Sequence, residues 1–428
     1  GGSFRLQNPY WINYRNLREN DKNRYMLSAG LSYDILSWLN VSGRVRIDNS
    51  YNDYTQKYYA STETTIAEGS NGYYGITRMH DKQTYADLLI NINKNFGKDW
   101  SLTANIGASY SDNLSESLAV KGPIASNGLP NFFSVSQLDK QTTRREEVGY
   151  REQTQSVFTS AEVGYKNAYY LTLTGRNDWP SQLAGPNSKQ SSFFYPSVGT
   201  SILLSEIFNL PESISYLKLR ASWASVGLPF GRFLANPTFE WDFSTGAYKS
   251  QAAYPLYELK PERTESWEVG LTARFLKYFN FDVSFYNTKT YNQTVDAQLS
   301  PTGGYNKFYA QTGEVRNRGV ELSLEFKNTW NKFTWNSNYT FSANKNKILS
   351  LIDGYVNPVT GETISKERLE VGGLANAKFL LKVGGSLGDL YSVKDLVRDS
   401  NNNIYVDEEG KVVINEKAGD IFLGSVFP

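Results

Sequence analysis

The sequence predicts an all-β fold, a transmembrane antiparallel β-barrel, from three observations. Apolar and polar residues alternate along long segments, charge is confined to one of the two alternating registers, and connections are short and long in turn. The first hairpin sets the pattern. Tyr25, Leu27, Ala29, Leu31 and Tyr33 share one register, and after a tight turn at Leu36-Ser37-Trp38 it continues in Leu39, Val41, Gly43, Val45 and Ile47, with Arg44, Arg46 and Asp48 opposite. Next, Ala86, Leu88, Ile90 and Ile92 lead through a connection at 94–99 to Trp100, Leu102, Ala104, Ile106, Ala108 and Tyr110. Further hairpins join 157–165 with 169–175, 267–275 with 279–285, and 320–326 with 333–341, while 198–204 and 217–223 form a looser pair. The result is about a dozen strands, many near the roughly 9–11 residues that cross a bilayer at a tilt.

Each supporting observation discriminates. A soluble sandwich also alternates, but its strands typically run about 5–6 residues with loops at both ends. Here short connections at 94–99, 166–167 and 276–278 are followed by long polar ones at 111–150, 177–193 and 289–314, as periplasmic turns and extracellular loops would be. Arg44, Arg46, Asp87, Glu162, Lys218, Arg220, Glu268, Arg274, Asp282, Glu321 and Glu325 all fall in the polar register. A charge at the lipid midplane costs about 2–4 kcal/mol, so a barrel wall must segregate them. Leu102, Ile106, Leu271, Val283 and Leu322 are therefore expected toward lipid, and Asn105, Thr272, Asp282 and Glu321 toward the lumen. Aromatic residues at strand ends, such as Trp100, Tyr110, Trp267 and Phe275, are candidates for interface girdles.

Composition agrees and excludes alternatives. With 40% hydrophobic and 20% charged residues the chain is not disordered, and a mean hydropathy of -0.48 without a long apolar run argues against membrane helices. There are 30 Tyr, 23 Phe and 9 Trp but no Cys, one His and two Met, so disulfides and thiolate metal sites are excluded. A net charge of +1 gives no case for nucleic acid. The first residues lack the basic and apolar segments of a signal peptide, so an exported protein is expected to begin upstream of this chain.

Several strand ends carry words that resemble SusC/RagA-type, TonB-dependent outer-membrane transporters. These are Asn8-Pro9-Tyr10-Trp11, Arg176-Asn177-Asp178-Trp179, Phe194-Tyr195-Pro196-Ser197-Val198-Gly199 and Leu217-Lys218-Leu219-Arg220-Ala221-Ser222-Trp223, in the family's order. The stretch from Leu259-Lys260-Pro261-Glu262-Arg263 through Thr264-Glu265-Ser266-Trp267-Glu268-Val269-Gly270 is the most specific. Asn317-Arg318-Gly319-Val320-Glu321, Leu387-Gly388-Asp389-Leu390-Tyr391 and the Gly419–Gly424 stretch follow it. Two departures, Pro180 after Trp179 and the altered Thr312-Gly313-Glu314-Val315, concern loop detail.

The resemblance implies a piece of a barrel of about 22 strands. Residues 1–428 would then be a partial wall, with the plug, the TonB-engaging segment and the last strands outside this chain, so that alone it would keep open edges. It further implies residence in the outer membrane of a Gram-negative bacterium, a SusD-like lipoprotein lid, coupling to TonB through an N-terminal segment, contact with outer-membrane lipid, and import of a bulky nutrient. An oligosaccharide is favoured because loops rich in Tyr, Asn, Ser and Gln, such as 51–74 and 286–309, combine ring faces with hydrogen-bonding groups; an oligopeptide is the second choice. A passive porin or barrel adhesin shares the same wall.

A barrel hydrolase would need His80, read as lying in a polar loop, to act as a base, and no nucleophile stands near it in sequence. No catalytic residue, cofactor or metal site is implied. Arg176, Asp178 and Trp179 offer a donor, an acceptor and a ring near the external mouth and are the candidate substrate-binding residues. A loop-anchoring network made of the same residues is the stronger reading.

Overall fold

The computed structural model describes residues 7–236, 239, 241–242, 245–249, 259–298, 307–356, 361, 363–373, 377–416 and 418–426. Twelve strands form one sheet in which sequence neighbours pair throughout: β1 (Asn16–Leu36), β2 (Leu39–Tyr59), β3 (Gly72–Phe96), β4 (Trp100–Pro123), β5 (Arg144–Tyr165) and β6 (Tyr169–Pro180), then β7 (Phe193–Leu203), β8 (Ile214–Leu228), β9 (Glu262–Phe275), β10 (Phe279–Gln298), β11 (Lys307–Trp330) and β12 (Phe333–Ser350). The chain divides into two compact units, Gly1–Asn91 with Gly107–Val157 and Ile92–Ile106 with Phe158–Pro428. Among the described residues no helix is long and apolar enough to cross a membrane.

In the first unit β1 and β2 pair with Leu27 opposite Ile47, Ala29 opposite Val45 and Tyr33 opposite Val41, so the apolar register of the two strands forms one face. Charge occupies the other: Arg24 grips Asp48 with two hydrogen bonds, and Arg44 donates from Nε and Nη2 to Asp87 across to β3 at 3.0 and 2.8 Å.

In the second unit each strand from β6 to β12 pairs antiparallel with the next. Leu219, Leu271, Val283, Leu322 and Phe341 make one row, while Lys218, Thr272, Asp282, Ser323 and Thr340 make the next row on the opposite face. Glu321 pairs with Ser284 in the polar register, so the two sets expected on opposite faces do separate in these strands. Ring contacts gather at the short turns: Phe275 stacks on Phe279 at 5.2 Å, Phe279 meets Phe326 at 5.1 Å, and Trp100 meets Tyr165 at 4.6 Å. Trp267 and Trp223 pair eight residues above Phe275, about 26 Å along the strand. A strand tilt of about 40° shortens this to about 20 Å between ring levels, which suits an apolar band of about 25 Å flanked by aromatic girdles.

Two sequence expectations require correction. The segments 111–150, 177–193 and 289–314 are not long loops. β4 runs on to Pro123 and β5 starts at Arg144, β6 ends at Pro180 with β7 resuming at Phe193, and β10 runs to Gln298 with β11 from Lys307. Their connections reduce to 124–143, 181–192 and 299–306, the last lying outside the described residues. His80 accordingly sits inside β3. Backbone ladders persist beyond the bilayer where neither face meets lipid, and polar residues there lose the alternation by which a strand is recognised.

Beyond β12, strands Arg368–Gly373, Ala377–Lys382, Asp389–Ser392 and Ile421–Ser425 form a small antiparallel sheet, seated on a core of Val315, Ile348, Leu351, Ile352 and Leu369. Asp420 accepts from Nε and Nη2 of Arg368, each at 2.7 Å, and lies 2.9 Å from Nζ of Lys382. The Arg368 hydrogen bonds, then Lys382, hold its carboxyl well below the usual carboxylate range. A depressed folded-state value means the linked stability is full above the unfolded value of about 3.9 and is lost as pH falls below it. Protection of this sheet against hydrogen exchange, taken relative to the intrinsic amide rate at each pH, is expected to fall on acidification through that window, and Asp420→Asn is expected to remove most of the dependence.

Candidate functional site

Strand alternation sends the even residues of β6, β8, β10, β12 and their partners to the polar face. One row there reads Thr174, Ser197, Ala224, Ser266, Thr288, Asn317 and Asn346, each hydrogen-bond-ladder neighbour of the next. It consists of hydroxyls, amides and one methyl, without a charge. Thr174 and Ser197 hydroxyls meet at 2.5 Å, and Asn346 donates from Nδ2 to Asn317 Oδ1 at 2.8 Å.

Charge lies in neighbouring rows and is braced. Arg220 reaches two strands away, donating from Nη1 and Nη2 to Asp282 at 2.8 Å each and from Nη1 to Thr272 at 2.9 Å; Thr272 in turn donates to Asp282 at 2.6 Å. That reach needs an absent side chain on the strand between. A Cβ on Gly270 would stand 2.5 Å from the Arg220 guanidinium carbon, and one on Gly319 would strike the Tyr286 ring. Gly270 and Gly319 belong to two of the sequence words quoted above, and the structure gives both a physical task.

Of the three sequence candidates the structure brings two together. Arg176 donates from Nε to Asp178 Oδ1 at 2.7 Å, Tyr195 donates its hydroxyl to the other carboxylate oxygen at 2.5 Å, and the guanidinium lies 5.3 Å from the Phe158 ring centre. Trp179 projects from the opposite face of β6 and is 43% exposed. Sequence reading missed Tyr195 and Phe158. The pairing of Arg176 with Tyr195 was hidden because the sequence reading ended the strand at 175 and took 177–193 for a loop, whereas β6 and β7 pair on to Asp178 and Phe193.

Beside the network, buried Leu183, Phe193, Phe230, Ala235 and Leu259 pack together, with Tyr195 against them. Asp178→Ala removes the acceptor that Arg176 and Tyr195 share and is expected to cost about 1–3 kcal/mol, measured by unfolding of the complete protein, whereas Trp179→Ala should cost less.

His80 stacks on Tyr51 with ring centres 4.4 Å apart; its Nε2 lies 2.9 Å from Asn49 Oδ1 and its Nδ1 lies 3.6 Å from Glu116. An amide, a carboxylate and a ring are not an oriented nucleophile, so these contacts supply no base-catalysed hydrolysis. Among the described residues no group of His, Cys, Asp or Glu is placed to hold a metal ion.

Comparison with known proteins accounts for this architecture. The family model described as TonB dependent receptor-like, beta-barrel matches residues 1–407. TonB-dependent receptor P26 of Formosa agariphila is 28% identical over 300 residues, covering 67% of this chain and 29% of that protein. TonB-dependent receptor P3 of the same organism is 23% identical over 399 residues, covering 90% and 38%. The chain thus spans well under half the length of these relatives. Among solved structures, that titled as the RagAB peptide transporter superposes with a TM-score of 0.76 at 17% identity, over 97% of this chain and 46% of that one. The outer membrane transporter YddB of Escherichia coli superposes with a TM-score of 0.57 at 14% identity, over 95% and 55%. Receptors and transporters, not enzymes, carry this wall, and it stands in the outer membrane of Gram-negative bacteria. With its segregated registers, ring-lined short turns and a family match across residues 1–407, this chain belongs to the TonB dependent receptor-like β-barrel family.

Proposed function

We propose that the complete protein imports a bulky, hydrogen-bonding nutrient in the manner of SusC/RagA-type transporters, driven through TonB and served by a SusD-like surface lipoprotein. The observation that carries the substrate assignment is the uncharged row from Thr174 to Asn346, seven side chains across seven strands. Hydroxyls and amides at strand spacing of about 4.8 Å suit an oligosaccharide, whose groups both donate and accept and carry no charge to neutralise. Arg176, Asp178 and Tyr195 satisfy one another, which favours a rim brace over direct substrate contact for the first two. Trp179, outside the brace, is left to the outward face.

A second reading, oligopeptide import, draws on the likeness to the RagAB peptide transporter. Calorimetry of the complete protein with its lipoprotein against defined glycan and peptide mixtures separates the two. Heat with glycans is expected, and heat with peptides alone would overturn the sugar assignment. Uptake by cells should vanish when TonB is deleted; uptake that persisted would favour a passive pore.

A further inference from the structure

We infer that His80 is a proton-operated clasp that ties β2, β3 and β4 together above the bilayer and stiffens the mouth of the wall in acid. These three strands are neighbours in the sheet and run on well past their apolar parts. His80 lies 16 residues from Phe96, at the short turn that ends β3, which is about 53 Å along the strand and about 40 Å in height after tilt. The apolar band is about 25 Å tall, so the ring stands clear of it. From β2, Tyr51 stacks on the ring with planes 7° apart, and Asn49, only 3% exposed, sets its Oδ1 2.9 Å from Nε2. From β4, a Glu116 carboxylate oxygen lies 3.6 Å from Nδ1.

Both ring nitrogens therefore face an oxygen. A neutral imidazole has one N–H and one lone pair, so with Nε2 donating to Asn49 it turns the lone pair toward Glu116. The imidazolium has two N–H groups and serves both oxygens at once, and its charge meets the carboxylate. Arg78, two residues along β3, lies 3.7 Å from Asp53 of β2, and Lys82 stands two residues the other way. Glu147 of β5 lines the same groove of about 430 Å³ as Asp53, Arg78, His80 and Glu116. Asp81 points to the other face, where it accepts from the Ser115 hydroxyl, and Asp112 is held by Arg151 lower down. Above the clasp the strands lead into the connections 60–71 and 124–143, which hold each other. Asn71 donates from Nδ2 to the Ala125 carbonyl at 2.8 Å, and Asn131 Oδ1 accepts from the Ala60 amide at 2.6 Å. A tie across three strands at His80 bears directly on that crown.

The test uses the complete protein in detergent between about pH 8 and about pH 5, the range over which histidine changes charge. Protection of the amides at 49–53, 78–82 and 114–118 against hydrogen exchange, taken relative to the intrinsic rate at each pH, should rise about two- to fivefold on acidification, the scale of a partly exposed ion pair. It should stay flat in His80→Gln, which keeps one donor, and in Glu116→Gln, which removes the carboxylate. The ring gives a second readout that a merely structural histidine would not. Nitrogen NMR of protein with isotope-labelled histidine, the His80 signals being those lost in His80→Gln, should show the Nε2–H tautomer at about pH 8 and both N–H groups at about pH 5. An Nδ1–H tautomer at the upper pH overturns the inference. So does wild-type protection that is constant or falls on acidification, or a Glu116→Gln response as large as the wild type's. Should His80→Gln fail to fold, Glu116→Gln decides the matter alone.

Discussion

Leu322→Arg is expected to destabilise the complete protein by about 2–4 kcal/mol in a bilayer, while Ser323→Arg, one residue away, should cost no more than about 1 kcal/mol. Leu322 lies four residues from Phe326 at one interface and four from Arg318 at the other, so it stands at the middle of the apolar band between Val283 and Phe341. A guanidinium there cannot snorkel to either surface without disturbing the row it leaves. Ser323 stands on the lumenal face, where its hydroxyl makes one long hydrogen bond of 3.3 Å to Asn338, and a charge placed beside Asp282 meets water and an acid. Unfolding by guanidinium from lipid vesicles measures both variants. Equal losses would mean that the two registers face the same medium, which no barrel wall permits.

That contrast also marks what the sequence could reveal. Where one face of a strand meets hydrocarbon, the solvent itself enforces a period of two, and the hairpins from Tyr25 to Phe341 were legible for that reason. Beyond the bilayer the enforcement stops while the backbone pairing does not. β3 runs through Arg78, His80 and Lys82 with polar side chains on both faces, so His80 read as a loop residue until its contacts with Asn49 and Tyr51 fixed it in the ladder. The candidate site was half legible for a related reason. Arg176 and Asp178 stand two apart in one strand and their meeting follows from alternation, as does the opposite placement of Trp179. Tyr195 and Phe158 come from neighbouring strands, and only the register with β7 and β5 brings them in. Gly270 and Gly319 were visible as parts of recurrent words, but their task depends on Arg220 and Tyr286 lying across them, which is tertiary information.

Phe193→Ala is expected to cost about 3–5 kcal/mol, a loss typical of removing a buried aromatic side chain. Phe193 is 6% exposed and belongs to the cluster with Leu183, Phe230, Ala235 and Leu259, residues drawn from the two connections 181–192 and 229–261. Gly227 underlies it so closely that a Cβ there would lie 2.5 Å from the ring, so the ring has been given its space by deletion of a side chain. Emptying that space should release the segments around Leu183, Phe230 and Leu259 together, and Tyr195, stacked 5.7 Å from Phe193, should lose its backing and its hold on Asp178. The neighbouring Phe194, 54% exposed on the other face, provides the comparison: Phe194→Ala removes the same ring from the same strand and should cost less than half as much. Hydrogen exchange reads the difference locally. Phe193→Ala should speed exchange at Leu259 and Ala184, whose amides donate to Asn187 and Ser181 carbonyls, and leave the β9–β10 ladder protected. Should Phe194→Ala open these connections equally, the packing would depend on the strand itself and not on the cluster, and the brace at Arg176 and Asp178 would need another support.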